Sequence, residues 1–489
     1  MFMIFSLLII SNIINISKSE KLIFAGTHFR HGARGPLKLS KDGLDLLGVN
    51  WTATGELTPV GKKMHYLLGL RNRQRYIIEN KLLSEKFDPH ELVVFSSDLN
   101  RTLLSVTSQL QGLYPINSSN GDTLNPEQVE VAVPPVNITF DDISDAKNTL
   151  NESALPNYMT IIPIHLIDVL IDNSDECTTK INNLRNKNDK KQKSIVNFVQ
   201  SFKEKYSKGL EAFYQNEIVT ELNFSIITAI CDATVADYTE KKNTDEFFEK
   251  TKINKTEFVQ DCFEALEINF RDKLFSDDNN ELLLFFNSYI IEKIIYYIKQ
   301  RINDDIKGDI SHKNASDYSS PKMLIISGHD TTLTAQELFF IKFFGYELDS
   351  YIFPRYASQT AFEIIREELE DESSRKNLTY SNYTLYHYFN DELVFSMTFD
   401  IFLEKMGKIN LWNKDNINKF CYGEKPVLTT NLIIIISMGV LALILIIIII
   451  ILIYKIKSQK DLKALKLFKD CDHECDGSCC CPPNYDDEF

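Results

Sequence analysis

A chain of 489 residues is long enough for one large elaborated domain or two to three ordinary ones, and its 44% hydrophobic content can build a sizeable core. The formal net charge of -15 excludes nucleic acid or an anionic membrane surface as the main partner. Any anion the chain binds must therefore find a local basic pocket.

The opening stretch, MFMIFSLLIISNIINISKSE, has the apolar centre of a secretory signal peptide without the usual basic start. Cleavage is expected between Ser17 and Glu20, making residues 1–19 the leader. Three later places repeat one pattern, an apolar strand-like run that stops at a Gly or Ser/Asp turn and gives way to a helix. KLIFAGTHF (21–29) leads into RHGARGP, ELVVFSSD (91–98) into LNRTLLSVTSQLQGLY, and KMLIISGHD (322–330) into TTLTAQELFFIKFF. Short β-rich runs entering helices predict an α/β sheet domain with strands buried on both faces. Ligands of such sheets sit beyond the carboxyl ends of the strands, so the three turns are expected to face one crevice.

Residues 117–157 are polar with little periodicity and are expected to be irregular or partly stranded. The runs at 195–215 and 282–302 carry apolar residues at three- and four-residue spacing, and the region of about 185–310 is expected to be a helical cap insertion over the sheet. From Leu432 to Tyr454 the chain has no charge, and about 23 residues at about 1.5 Å each cross a bilayer. Lys455, Lys457, Lys460, Lys463, Lys466 and Lys469 follow, which puts 455–489 in the cytosol and the bulk of the chain in a lumen or outside the cell.

Cysteine usage divides in the same way. Cys177, Cys231, Cys262 and Cys421 precede the span and are expected to form two disulfides, with pairing left open among three possibilities. Sequons at Asn50, Asn117, Asn137, Asn151, Asn223, Asn254, Asn314, Asn377 and Asn382 fit a glycosylated ectodomain. In the tail, Cys471, His473, Cys475 and Cys479 do not have the spacing of an established zinc motif, so no metal is expected there, and S-acylation or plain disorder are equal alternatives.

The chemistry is concentrated in the three turns. Arg30 and Arg34 flank His31, and Gly32 and Gly35 let a ligand approach the backbone. Arginine forks match phosphate oxygens bidentately, and an imidazole kept neutral beside them is a competent nucleophile. The turn is suited to holding a tetrahedral anion over that nucleophile.

Arg30, His31, Gly32, Arg34 and Pro36 match R-H-G-x-R-x-P, and here the chain resembles the histidine acid phosphatases, a branch of the phosphoglycerate mutase-like superfamily. GELT (55–58), SSDLNRT (96–102), PIH (163–165) and SGHDTTL (327–333) resemble the family's further motifs in order. The resemblance implies a phosphoglycerate mutase-like sheet domain over 20–425. It implies attack by His31 on phosphorus to form phosphohistidine, phosphate binding by Arg30, Arg34, Arg101 and His329, and proton donation by Asp330 to the leaving alcohol. No cofactor and no metal are implied. Expected partners are small-molecule phosphate monoesters and the bilayer, with a homodimer allowed for and no nucleic acid.

Duller readings stand beside these. Asp330 could simply open the helix that follows, and Arg101 could lie on a helix surface. Glycosylation of Asn100, beside the site, is not expected. His165 is a site-lining residue by resemblance only, and His28, His65, His90, His312 and His387 are expected to be structural or exposed. WTATGELT and the 117–157 excursion depart from the family pattern where substrate choice is made. A phytase-like or lipid-phosphate phosphatase, or a catalytically silent receptor or adhesion ectodomain, are the alternatives. The location expected is lysosomal, endosomal or cell-surface.

Overall fold

The structure is a computed structural model and describes residues 20–116, 123–132, 134, 149–150, 152–167, 175–191, 193–214, 222–275, 280–308, 320–347, 353–369, 371–423 and 430–469. The expected leader, most of the 117–157 excursion, His312, the sequons at Asn117, Asn137, Asn151 and Asn314, and the Cys-rich end of the tail lie outside the described residues. The chain divides into a unit ending at Tyr422 and a second beginning at Gly423.

In the first unit a seven-stranded sheet runs in the order β3-β2-β4-β1-β5-β6-β7. Strand β1 (Glu20–Arg30) is followed by α1 (Pro59–Arg73), β2 (Leu92–Ser96), α2 (Asn100–Leu113), the short α3 (Pro126–Val131) and β3 (His165–Leu166). Helices α4 (Asp175–Lys191), α5 (Lys193–Tyr214), α6 (Phe224–Glu240), α7 (Asp245–Thr251), α8 (Lys255–Leu274) and α9 (Glu281–Lys307) come next. The chain then returns through β4 (Met323–Gly328), α10 (Asp330–Phe344), β5 (Gln359–Glu367), β6 (Tyr383–Phe389), β7 (Glu392–Thr398), α11 (Phe399–Gly407) and α12 (Lys414–Tyr422). Strands β1 to β4 pair in parallel, and β5 to β7 add an antiparallel wing.

Strand alternation divides the core. Met323 and Ile325 of β4, with Leu92 and Val94 of β2, face α1 and α2, where Val106, Leu110 and Leu113 cover them. Leu324 and Ile326, with Val93, face the opposite way onto α9, α10 and α11. Helices on both faces explain why β2 and β4 read as continuous apolar runs. Close approach also dictates residue type, since a Cβ on Gly32 would collide with the Gly61 backbone where the β1 turn crosses α1.

The helical insertion begins earlier than about 185 and is not all cap. Helices α4 to α8 build their own core around Phe202, Phe247, Phe258, Ile227 and Cys262. Helix α9 belongs to both layers: Leu282, Leu283 and Phe285 join that core, whereas Ile290, Ile294, Ile298 and Ile302 cover the sheet. The reason is length, because 27 residues reach about 40 Å, beyond a single layer.

Of the two disulfides expected, one is present. Cys177 in α4 bonds Cys421 in α12, 244 residues later. Cys231 and Cys262 are buried free thiols on the packed helices α6 and α8, where burial and their mutual hydrogen bond push the Cys231 thiol well up. In the second unit, α13 (Thr430–Lys469) starts close to the expected span and continues without a break through the lysines. Its Ser437–Lys460 stretch is long and apolar enough to cross a membrane.

Candidate active site

The parallel register brings three strand ends together. Arg30 of β1 lies opposite Gly328 of β4, and Ser96 of β2 lies opposite Ser327. The turns after them enter α2 and α10 directly, so Arg101 and Asp330 sit at helix N-termini where an anion is favoured.

His31 is pinned at the first turn by its backbone N–H, which donates to the Gly328 carbonyl at 3.1 Å. Its Nδ1 lies 2.9 Å from the Gly32 carbonyl oxygen. A carbonyl only accepts, so Nδ1 carries the proton and Nε2 keeps a free lone pair. Burial first, then the charges of Arg30, His329, Arg34 and Arg101, holds the His31 pKa well below its ordinary 6.5. The surroundings therefore favour the neutral ring over the imidazolium.

Three guanidinium groups surround it. Arg30 donates to the Pro354 carbonyl at 2.8 Å, pairs with Asp330 at 2.6 Å and lies 4.3 Å over the Tyr356 ring. Arg34 is forked onto Asp232 of α6, with Nη2 to Oδ1 at 2.8 Å and Nη1 to Oδ2 at 3.3 Å. Burial works against the Arg34 cation, but Tyr356, Asp232 and Asp330 outweigh it and raise its pKa. Arg101 Nη1 lies beside Gly55, which holds a left-handed φ of 65° that favours glycine. The Nε–H groups of Arg30, Arg34 and Arg101 are all buried without a hydrogen-bond partner. Buried donors of this kind are normally satisfied, and all three residues line one cavity of about 480 Å³.

His329 caps α10, and its Nε2 lies 2.9 Å from Ser97 Oγ. Burial, then Arg101, lowers its pKa to about 3, against a smaller opposing pull from Asp330. Asp330 Oδ1 accepts from the Thr331 N–H at 2.8 Å. Burial alone would raise the Asp330 pKa, yet Arg30, Arg34 and His329 hold it below the usual carboxylate value.

Residues 21–385 match the histidine phosphatase superfamily, branch 2. The chain belongs to that family. Among curated relatives, this histidine phosphatase is 37% identical to lysosomal acid phosphatase of Xenopus laevis over 100 residues, covering 20% of this chain and 22% of that one. It is 33% identical to prostatic acid phosphatase of Homo sapiens over 98 residues, covering 20% and 24%. The matched stretches thus span less than a quarter of those relatives. Similar solved structures include a phytase of Klebsiella sp ASR1, at 15% identity and TM-score 0.45 over 76% of this chain and 83% of that one. Another is a multiple inositol polyphosphate phosphatase of Bifidobacterium longum, at 11% and 0.45 over 78% and 88%.

All six residues singled out for the chemistry, Arg30, His31, Arg34, Arg101, His329 and Asp330, line the same cavity of this histidine phosphatase. His165 is not among the lining residues; it sits on the exposed edge strand β3 with its ring 5.7 Å from Phe95. His28 lies beneath the site, bonded to Gln336 at 2.7 Å and Thr332 at 3.1 Å. Sequence reasoning missed Asp232 and Tyr356. Neither belongs to a motif, and Asp232 sits 198 residues from the arginine it holds.

Proposed function

We propose that this histidine phosphatase is a membrane-anchored acid phosphatase that hydrolyses phosphate monoesters through a phosphohistidine intermediate. The observation that carries this reading is the free Nε2 of a neutral His31 among three guanidinium groups with unpartnered Nε–H donors. Arg30, Arg34 and Arg101 take the phosphate oxygens, and His31 Nε2 forms the N–P bond as the ester P–O bond breaks. Asp330 delivers its proton to the departing oxygen. Water then attacks phosphorus as Asp330 takes a proton from it, the N–P bond breaks with its electron pair returning to His31 Nε2, and inorganic phosphate leaves. The 2.9 Å hydrogen bond between Ser97 Oγ and His329 Nε2 holds the imidazole in the cavity with the arginines.

Acid operation follows from two opposite requirements. An ordinary histidine with pKa about 6.5 is roughly 97% protonated at pH 5 and is a dead nucleophile, whereas the lowered pKa of His31 favours its neutral form further into acid. Asp330 is ionised in the free protein, so its proton must come from acidic solution or with a monoanionic phosphate ester. Turnover should rise as pH falls until His31 itself protonates. Beyond the six site residues the cavity offers both apolar surface, from Leu266, Phe270 and Phe285, and two further cations, Lys38 and Arg185, so the lining accommodates an apolar alcohol or additional anionic groups on the leaving group. The lysines after Tyr454 support a cytosolic tail and a lumenal or extracellular catalytic unit, as an endolysosomal or cell-surface protein.

The test is p-nitrophenyl phosphate hydrolysis by the detergent-solubilised full chain from about pH 3 to 8. Activity with an acid optimum that disappears in His31→Ala is expected. A folded wild type with no turnover at any pH would leave a binding ectodomain instead.

A further inference from the structure

Helix α6 touches the catalytic turn through one face. Asp232 holds Arg34 and also accepts the Leu37 N–H at 2.8 Å; five residues on, Asp237 accepts from Trp51 Nε1 at 2.9 Å; Glu240 accepts from Thr58 Oγ1. The last two contacts already dock α6 against the segment after His31. Asp232 does something else, because its two oxygens engage both Nη atoms of a guanidinium that lines the cavity. With Nη1 also donating to the Gly35 carbonyl at 2.9 Å, the plane of Arg34 is fixed and its unpartnered Nε–H is the edge left over.

We propose that Asp232 is a positioning residue for phosphoryl transfer, which fixes the orientation of the cavity-lining Arg34 guanidinium relative to the phosphoryl group. This rests on the phosphatase reading above. Asp232 also lowers the charge of the site. Asp232 and Asp330 are the two carboxylates that line the cavity, against the cations Arg30, Arg34, Lys38, Arg101 and Arg185, so the lining is net positive even with both carboxylates ionised. Losing Asp232 would therefore strengthen general attraction for anions while releasing the alignment that matters as charge spreads over the transferring group. A purely structural ion pair makes the opposite prediction, a loss of stability with kinetic constants intact.

The experiment compares Asp232→Asn, Asp232→Glu and Glu240→Gln with wild type, using p-nitrophenyl phosphate as substrate and inorganic phosphate as inhibitor, with thermal melting to follow the fold. In Asp232→Asn, kcat is expected to fall at least about tenfold while KM and the phosphate inhibition constant stay level or fall. Asp232→Glu, which restores a carboxylate, should recover part of that kcat. Glu240→Gln should shift melting and leave kcat within about twofold. In an Arg34→Ala background, Asp232→Asn should cost nothing further in kcat, since its effect passes through that arginine. An Asn variant with more than half the wild-type kcat, or an additive loss in the Arg34→Ala background, overturns the proposal. Should Asp232→Asn fail to fold, Asp232→Ser, which also removes the carboxylate, takes its place under the same criteria. A wild type that turns nothing over, or a fully active His31→Ala, would instead sink the phosphatase reading.

Discussion

Replacing Asp330 by Asn keeps the shape of the side chain and removes the proton donor. Arg30 loses its 2.6 Å partner but is still held by the Pro354 carbonyl at 2.8 Å and by stacking on Tyr356, so phosphate binding should change little. The loss should appear in the step that breaks the P–O bond, and its size should follow the leaving group. Positioned acid catalysis contributes about 10² to 10⁴ in rate, equivalent to about 3 to 5 kcal/mol. An alkyl ester such as glycerol 2-phosphate, whose alkoxide is a poor leaving group, should lose that whole factor. An aryl ester such as p-nitrophenyl phosphate needs little protonation and should lose much less. Steady-state kcat for both substrates across pH gives the answer, because the limb in which wild-type turnover falls with rising pH should also flatten in the variant. Equal losses for the two esters would refute the assignment of Asp330 as the acid.

Other consequences concern stability. His28 and His65 are buried with pKa values lowered to about 4, chiefly by desolvation. The unfolded chain takes up protons below about pH 6.5 that these rings refuse, so each should cost about 2 kcal/mol of stability at pH 5 relative to neutral pH. Asp237, with its pKa raised to about 8, works in the opposite direction, so the check is the difference between variants: the change in stability from pH 7 to pH 5 should be more favourable in His65→Gln than in wild type, and an equal change in both would contradict this. Asp305 accepts from Arg366 at 2.6 Å, Arg375 at 2.8 Å and Tyr383 at 2.9 Å. Burial opposes its ionisation, but these donors hold its pKa below the usual value, so its contribution is present above the ordinary carboxylate pKa and is lost only as pH falls through the lowered one. Asp305→Ala should destabilise by about 3 to 5 kcal/mol in denaturant melts, and a change under about 1 kcal/mol would refute a stabilising role for the cluster. Cys177→Ser opens a 244-residue crosslink and should cost about 2 to 5 kcal/mol, read by the same melts, with an unchanged midpoint as the contrary result.

Much of this was legible before any coordinates. Buried parallel strands are continuous apolar runs because both faces are covered, so KLIFAGTHF, ELVVFSSD and KMLIISGHD announced the sheet without reference to the rest of the chain. The turns after them carried Arg30, His31, Arg101, His329 and Asp330 because the chemistry sits where strands end. Local periodicity also marked α9 as a helix, but could not say that its two halves serve different cores.

What the linear order marked, then, was which groups gather at one cavity, since each lies within a few residues of a strand end. Tertiary structure alone decided their state. The neutrality of His31 comes from burial and from cations contributed by several elements, and the orientation of Arg34 comes from Asp232 on a distant helix. Desolvation and charge act through space over a few ångströms, and nothing in the spacing of residues along a chain encodes which segments will be brought that close.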